Sequence, residues 1–213
     1  MKKFVFITLL VTIFYFGTAQ DYTLPNLGVS KKLIREYIKS GQYELDQKKA
    51  IDDALLILDN LKIPGMPLVI FDVDETALSN MEYELNFDFG FERESWDKWI
   101  QSAKAPVIKD VKRFYDTLIS RNINVVFMTG RGVGQYEATL KNLKDVGYTK
   151  FDTLICKSPE FSGKKAIEYK SEVRRRLSQK YNIIGTVGDQ WSDSDGGYTI
   201  MKVKIPNLFY FLD

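Results

Sequence analysis

The stretch PLVIFDVDET, residues 67–76, decides the fold, because a short apolar run leads directly into a cluster of acidic residues. An apolar run of this length, preceded by Pro64 and Gly65, predicts a strand that is buried on both faces of a parallel sheet. The same logic predicts strands at 123–128, 154–156 and 183–187, alternating with helices at 107–120, 133–146 and 169–180. This alternation predicts an α/β fold with a mainly parallel sheet and helices on both faces.

Two helical patterns precede the first strand, and one long segment follows it. The patterns begin after Ser30 and at Ala50, and residues 20–28 predict an extended arm. Residues 77–106 separate the first strand from the next helix, which is far more than such connections usually take. This segment predicts a small cap, whose rings either roof a site at the sheet edge or pack together as a minor lobe. Its six aromatic residues are Tyr83, Phe87, Phe89, Phe91, Trp96 and Trp99.

The chain of 213 residues contains no histidine and one cysteine, and both counts exclude classes of chemistry. Without histidine it cannot build a Ser-His-Asp triad or a histidine zinc site. Cys156 lies in an apolar run, where burial is the expected role, and a single thiol can form no internal disulfide. Acid–base chemistry is therefore left to carboxylates, lysine and tyrosine.

The first nineteen residues have the pattern of a secretory signal peptide. Two lysines precede an apolar run at 4–16, and Gly17-Thr18-Ala19 supplies small residues for cleavage. An uncleaved anchor is the alternative, but the run is shorter than the roughly 18 residues that usually span a bilayer. We expect cleavage after Ala19, export to the periplasm or the medium, and no stable membrane anchor. Residues 20–213 then form one domain with equal numbers of acidic and basic residues, which does not favour a nucleic acid polymer as partner.

The residues that follow each predicted strand carry the chemistry, because ligands bind beyond the carboxyl ends of parallel strands. Asp72 and Asp74 follow the first strand, Thr129-Gly130-Arg131 follows the second, and Asp189 and Asp193 follow the last. Four carboxylates at one edge would repel one another and need positive counter-charge. Oxygen ligands without histidine or thiolate select a hard cation, and a site that keeps waters and accepts a phosphate favours Mg²⁺.

Four ordered motifs make the sequence similar to a family of phosphatases. They are FDVDET at 71–76, MTGR at 128–131, Lys170, and GDQWSD at 188–193. They resemble those of the haloacid dehalogenase (HAD) superfamily. Within it, the chain resembles the subfamily IIIB acid phosphatases, which join class B and C type bacterial enzymes with plant vegetative storage proteins. This narrower resemblance rests on Leu78-Ser79-Asn80, Trp99 ahead of Ala105-Pro106, Tyr169-Lys170-Ser171 with Arg174, and Lys204-Ile205-Pro206-Asn207.

The resemblance implies a Rossmann-like HAD fold and Mg²⁺-dependent hydrolysis of phosphomonoesters. Asp72 is the expected nucleophile, which forms an aspartyl-phosphate. Asp74 is expected to protonate the leaving group and then to activate water. Charged neighbours are expected to raise the pKa of Asp74, which predicts an acidic optimum.

The remaining site residues divide between the metal and the phosphate. Mg²⁺ is expected to bind the carboxylates of Asp72 and Asp189 and the backbone carbonyl of Asp74, with Asp193 acting from outside this ligand set. Three donors are expected to bind the phosphoryl oxygens: Thr129, the Gly130 backbone N–H and Lys170. Their fixed positions would stabilise the negative charge on these oxygens during phosphoryl transfer.

Several alternatives stay open from the sequence alone. Thr129-Gly130 could simply end a strand, and Arg131 could serve a helix surface instead of the substrate. Lys164 and Lys165 compete with Lys170, although Ser171 and the spacing to the last motif favour Lys170. A non-catalytic storage or phosphate-binding protein of the same fold is the alternative function, but the nucleophilic position is intact here.

Overall fold

The computed structural model describes residues 26–212, and its centre is a five-stranded sheet in which every pair of strands is parallel. The strands are β1 (Pro67–Phe71), β2 (Asn124–Gly132), β3 (Thr153–Lys157), β4 (Asn182–Gly188) and β5 (Met201–Lys204). Their order is β3-β2-β1-β4-β5. The predicted α/β class and parallel sheet are confirmed. The sequence did not predict β5, because four residues of alternating burial at a sheet edge carry a weak hydrophobic pattern.

Seven α-helices surround this sheet in the described residues. They are α1 (Leu27–Lys39), α2 (Gln42–Asn60), α3 (Met81–Asn86), α4 (Arg93–Ser102), α5 (Lys109–Ser120), α6 (Tyr136–Asp145) and α7 (Ala166–Leu177). The predicted extended arm is wrong at Leu27 and Gly28, because the Asn26 side chain caps α1 by accepting from the Gly28 N–H. The predicted helix at 133–146 is divided into a 3₁₀ turn, Val133–Gln135, and α6.

Helices cover both faces of the sheet, as predicted. Val69 and Phe71 of β1 pack in one core cluster with residues of α2 and α5. Leu68 and Ile70 point to the other face and pack with Tyr169 of α7. Alternate residues of one strand therefore enter opposite cores, which explains why its sequence is continuously apolar.

The topology brings distant acidic residues to one place. The chain builds β1, β2 and β3 outward in one direction and then returns to place β4 on the other side of β1. The carboxyl ends of β1 and β4 meet at this reversal, which is where ligands bind in open α/β sheets. Asp72 and Asp189 directly follow these two strands.

The predicted signal peptide, residues 1–19, lies outside the described residues. Across residues 26–212, none of the helices is both long enough and apolar enough to cross a membrane.

Candidate active site

A cluster of three buried carboxylates lies at the reversal point of the sheet. Asp72, Asp189 and Asp193 each offer a ligand oxygen, and these oxygens lie within 4.8 Å of one another. The N–H of Asp72 donates to the carbonyl oxygen of Val187 at 2.9 Å, which holds the end of β1 against β4. The cluster combines only oxygen donors, and this donor set suits a hard divalent cation.

Lys170 provides the one buried ammonium group of this cluster among the described residues. It comes from the first half of α7, and its Nζ lies 2.7 Å from Oδ1 of Asp72 and also donates to Asp193. Although burial acts to lower it, the carboxylates of Asp193 and Asp72 raise the pKa of Lys170. Lys164 and Lys165 line the same cavity but are exposed, whereas Lys170 is buried against Asp72.

The single positive charge of Lys170 does not balance the negative charge of the three carboxylates. Burial raises the pKa of Asp72 well above its ordinary value, and Lys170 opposes this rise while Asp193 and Asp189 add to it. Burial and the charge of Asp193 raise the pKa of Asp189 to about 6. These shifts have the direction expected of carboxylates that are assembled to receive a further positive charge.

Both carboxylate oxygens of Asp193 accept hydrogen bonds from other groups of the protein. Oδ1 accepts from Lys170, and Oδ2 accepts from the backbone N–H of Gln190 at 2.8 Å. The side chain also packs directly on Gly188, where a β-carbon would collide with it. Through these contacts Asp193 holds Lys170 and the start of the loop after β4.

Asp74 forms an ion pair with Arg131, an arginine to which the sequence assigned no definite role. Arg131 is 4 % exposed, and its Nη2 lies 2.6 Å from Oδ1 of Asp74 while Nε lies 3.1 Å from both oxygens. The Asn80 amide donates to the same carboxylate at 2.8 Å. Arg131 directly follows Thr129 and Gly130 at the end of β2, and that position was the available sign of a site role.

Thr129 and Gly130 are placed differently relative to the cavity. The Thr129 side chain is fully buried, and its hydroxyl accepts from the Arg131 N–H at 3.1 Å. The Thr129 carbonyl accepts from the Tyr169 hydroxyl at 3.1 Å, which ties β2 to α7. Gly130 lines the cavity and presents its backbone there.

A cavity of about 620 Å³ extends from Asp72 and Lys170 to the cap. Phe89, Phe91 and Trp96 line it. The other three cap aromatics have packing roles: Tyr83 stacks on Phe87 with ring centroids 4.6 Å apart, and the Trp99 indole donates to Asn80 at 2.8 Å. Three of these six rings therefore line the cavity, and one of the three, Trp96, also packs against Tyr83 with ring centroids 5.0 Å apart.

The C-terminal segment closes one side of the site. The Asn207 amide donates to Oδ2 of Asp189 at 2.6 Å, and the Tyr210 hydroxyl donates to Glu75 at 3.1 Å. The Phe209 ring stacks on Phe89 of the cap at 5.8 Å. Sequence reasoning assigned these residues no function, although Asn207 ends one of the motifs on which the resemblance rests.

The buried carboxyl groups predict how the stability of the metal-free protein depends on pH. Burial, followed by the charge of Asp74, raises the pKa of Glu75 from 4.5 to about 8. The pKa of Asp189 rises from 3.8 to about 6. The folded chain binds these protons more tightly than the unfolded chain, so this stability is present below the unfolded pKa and is lost as pH rises through the folded pKa.

We therefore expect the melting temperature in EDTA to fall between about pH 4.5 and pH 8. Adding Mg²⁺ at the upper pH should recover part of the loss, because a cation compensates the charge of Asp189. Thermal unfolding followed by circular dichroism measures both effects. A melting temperature in EDTA that does not change across this range would contradict the prediction.

Comparison with known proteins agrees with the geometry of the site. Residues 20–212 match the family described as HAD superfamily, subfamily IIIB (Acid phosphatase). The chain is 33 % identical over 185 residues to the Stem 28 kDa glycoprotein of Glycine max. The aligned region covers 84 % of this chain and 73 % of that relative. It is 30 % identical over 186 residues to Acid phosphatase 1 of Solanum lycopersicum, again over 84 % and 73 %.

A solved structure shares the fold. The class C acid phosphatase of Bacillus anthracis, solved with tungstate bound, has a TM-score of 0.71 at 22 % identity and covers 86 % of each chain. The family match spans nearly the whole chain and includes every motif that supplies a residue to the cluster. The chain therefore belongs to subfamily IIIB of the HAD superfamily, the acid phosphatases, and is a hydrolase of the phosphatase type.

Proposed function

We propose that this chain is an exported, Mg²⁺-dependent acid phosphatase that hydrolyses phosphomonoesters through an aspartyl-phosphate on Asp72. The observation that carries the proposal is the placement of the Asp72 carboxylate against Lys170, among buried acids and at the inner end of the cavity. A carboxylate becomes a competent nucleophile toward phosphorus when nearby positive charge screens its repulsion from the substrate.

The residues present fit Mg²⁺. Its ligands would be the carboxylates of Asp72 and Asp189 and the backbone carbonyl of Asp74, and no softer donor is available among them. When bound, the ion would neutralise negative charge on the phosphate and on the acidic cluster. Asn207 and Gln190 hold Asp189 by donating to its Oδ2, each at 2.6 Å.

The protein groups support a two-step displacement. An oxygen of Asp72 attacks phosphorus as the bond between phosphorus and the ester oxygen breaks, and Asp74 gives a proton to the leaving alkoxide. Lys170, the Gly130 N–H and Thr129 stabilise the phosphoryl oxygens. Asp74 then takes a proton from the water that attacks the aspartyl-phosphate, which releases phosphate and restores Asp72. We propose that hydrolysis is fastest at acidic pH, as in the acid phosphatase family to which the chain belongs.

Arg131 and Asn80 orient the carboxylate that handles this proton. Arg131 is itself held by Thr139, whose hydroxyl accepts from Nη1 at 3.0 Å. Asn80 is held by Glu75 and Trp99. These contacts fix the position of Asp74, whose side chain is 17 % exposed at the cavity. Asp72 is buried more deeply.

Metal removal tests this proposal. We expect the mature protein to hydrolyse p-nitrophenyl phosphate, to lose at least about 90 % of this activity in EDTA, and to recover it when Mg²⁺ is added. Ca²⁺ at equal concentration is the matched control, because it carries the same charge but demands less strict geometry. Full activity after exhaustive chelation would exclude a role for the metal.

The same assay separates the enzyme from a storage or phosphate-binding protein. Absence of turnover across a broad panel of phosphomonoesters, with inorganic phosphate still bound in a calorimetric titration, would favour the non-catalytic alternative. Activity in the periplasmic or extracellular fraction of the source cells would support export.

A further inference from the structure

Glu84 of α3 presents a buried carboxyl group to the active-site cavity. The residue is 5 % exposed and lines the cavity together with Asp74 and Trp96. Within residues 26–212, no hydrogen bond or ion pair reaches its side chain. The carboxyl group faces the cavity, and polar groups with so little exposure normally have partners. A ligand in the cavity is therefore placed to supply the partner that residues 26–212 do not.

Among the described residues, the positive side chains that line or border this cavity have other partners. Arg131 is occupied by Asp74 and Thr139. The Lys157 ammonium, which also lines the cavity, donates to the carbonyl oxygen of Lys164 at 2.9 Å. Burial and the charge of Asp74 raise the pKa of Glu84 to about 7.

The surroundings of Glu84 suit one kind of chemical group. Phe89, Phe91 and Trp96 line the same cap side of the cavity. Aromatic ring faces attract cations, and an adjacent carboxylate adds a charge-assisted hydrogen bond. An ammonium group would satisfy both, whereas an anionic or purely apolar group would leave Glu84 without a partner.

We propose that Glu84 is a specificity-determining residue that accepts a hydrogen bond from an ammonium group on the leaving group of the phosphomonoester. This inference rests on the proposed function, because the ammonium group is positioned by a phosphate bound between Asp72 and Lys170. The substrate class is then a phosphomonoester of an amino alcohol or an aminoalkyl phenol. The cap rings cover the carbon chain between the two charged ends.

Two substrates of equal size test the proposal. In 4-(2-aminoethyl)phenyl phosphate and 4-propylphenyl phosphate, an ammonium group replaces a methyl group and the ester is unchanged. At a pH at least about one unit above the raised pKa of Glu84, which is about 7, so that the carboxyl is largely ionised, we expect the native protein to prefer the amine by about tenfold in kcat/KM, the scale of one hydrogen bond to a charged group. Glu84→Gln should bring the ratio close to one while 4-propylphenyl phosphate is still hydrolysed. Glu82→Gln, an exposed change on the same helix, is the matched control and should keep the native ratio.

The outcomes separate this inference from the proposed function. A native ratio near one, or the same ratio in native and Glu84→Gln proteins, would overturn the role of Glu84 while leaving the phosphatase proposal intact. Absence of hydrolysis of both substrates by the native protein would overturn the proposed function instead. Each ratio compares two substrates on one preparation, so a smaller fraction of folded variant lowers both rates equally and leaves the ratio unchanged. If the variant does not fold, a native ratio near one still overturns the proposal.

Discussion

Asp72→Asn is expected to lower kcat for p-nitrophenyl phosphate by at least about 10⁴-fold, because removal of a catalytic nucleophile costs on the order of 10⁶ in a well-studied hydrolase. Asparagine keeps the size of the side chain but has no anionic oxygen to attack phosphorus. Steady-state assays at saturating substrate measure the loss. Asp53→Asn, an exposed change on α2, is the matched control and should keep full activity.

The same variant should remain folded, which distinguishes a chemical role from a structural one. Asp72 lies among buried acids, and burial with the charges of Asp193 and Asp189 raises its pKa. Removing one charge relieves this repulsion, so the melting temperature of the metal-free variant should equal or exceed that of the native protein. Undiminished turnover in a folded Asp72→Asn protein would refute the proposed mechanism.

Arg174→Met is expected to destabilise the protein by about 3 kcal/mol, because each buried acceptor that loses its donor costs about 1–3 kcal/mol. Arg174 is fully buried in α7 and donates to backbone carbonyl oxygens of the loop after β4. These acceptors belong to Ser192, Asp193, Asp195 and Gly197. Methionine retains much of the volume but none of the donors.

Activity should fall together with stability in Arg174→Met, since the loop that Arg174 holds also carries Asp193, the partner of Lys170. Urea unfolding and kcat/KM for p-nitrophenyl phosphate measure the two effects. Arg175→Met is the matched control, because Arg175 is exposed on the same helix and pairs with Glu172 at the surface. A surface pair of this kind contributes roughly 0–1 kcal/mol. Equal unfolding free energies for the two variants would show that the buried contacts of Arg174 do not stabilise the loop.

Local patterns in the sequence predicted most of the fold. Pro67–Phe71 forms β1 as predicted, because a short apolar run followed by acidic residues is compatible with few structures other than a buried parallel strand. Helix ends were predicted less well: α2 begins at Gln42, well before the predicted Ala50. Its early turns carry few apolar residues, and contacts such as those of buried Tyr43 keep them helical.

The sequence by itself determined the oxygen-rich chemistry of the site and the edge of the sheet where it lies. The types and order of Asp72, Asp74 and Asp189 were sufficient, because residues that directly follow a parallel strand lie at the carboxyl edge of the sheet. Tertiary structure alone decided the pairings: Arg131 binds Asp74, Asn207 binds Asp189, and the Glu84 side chain has no partner among residues 26–212. Periodicity records which face a residue takes within its own element, whereas these contacts depend on how separate elements pack together.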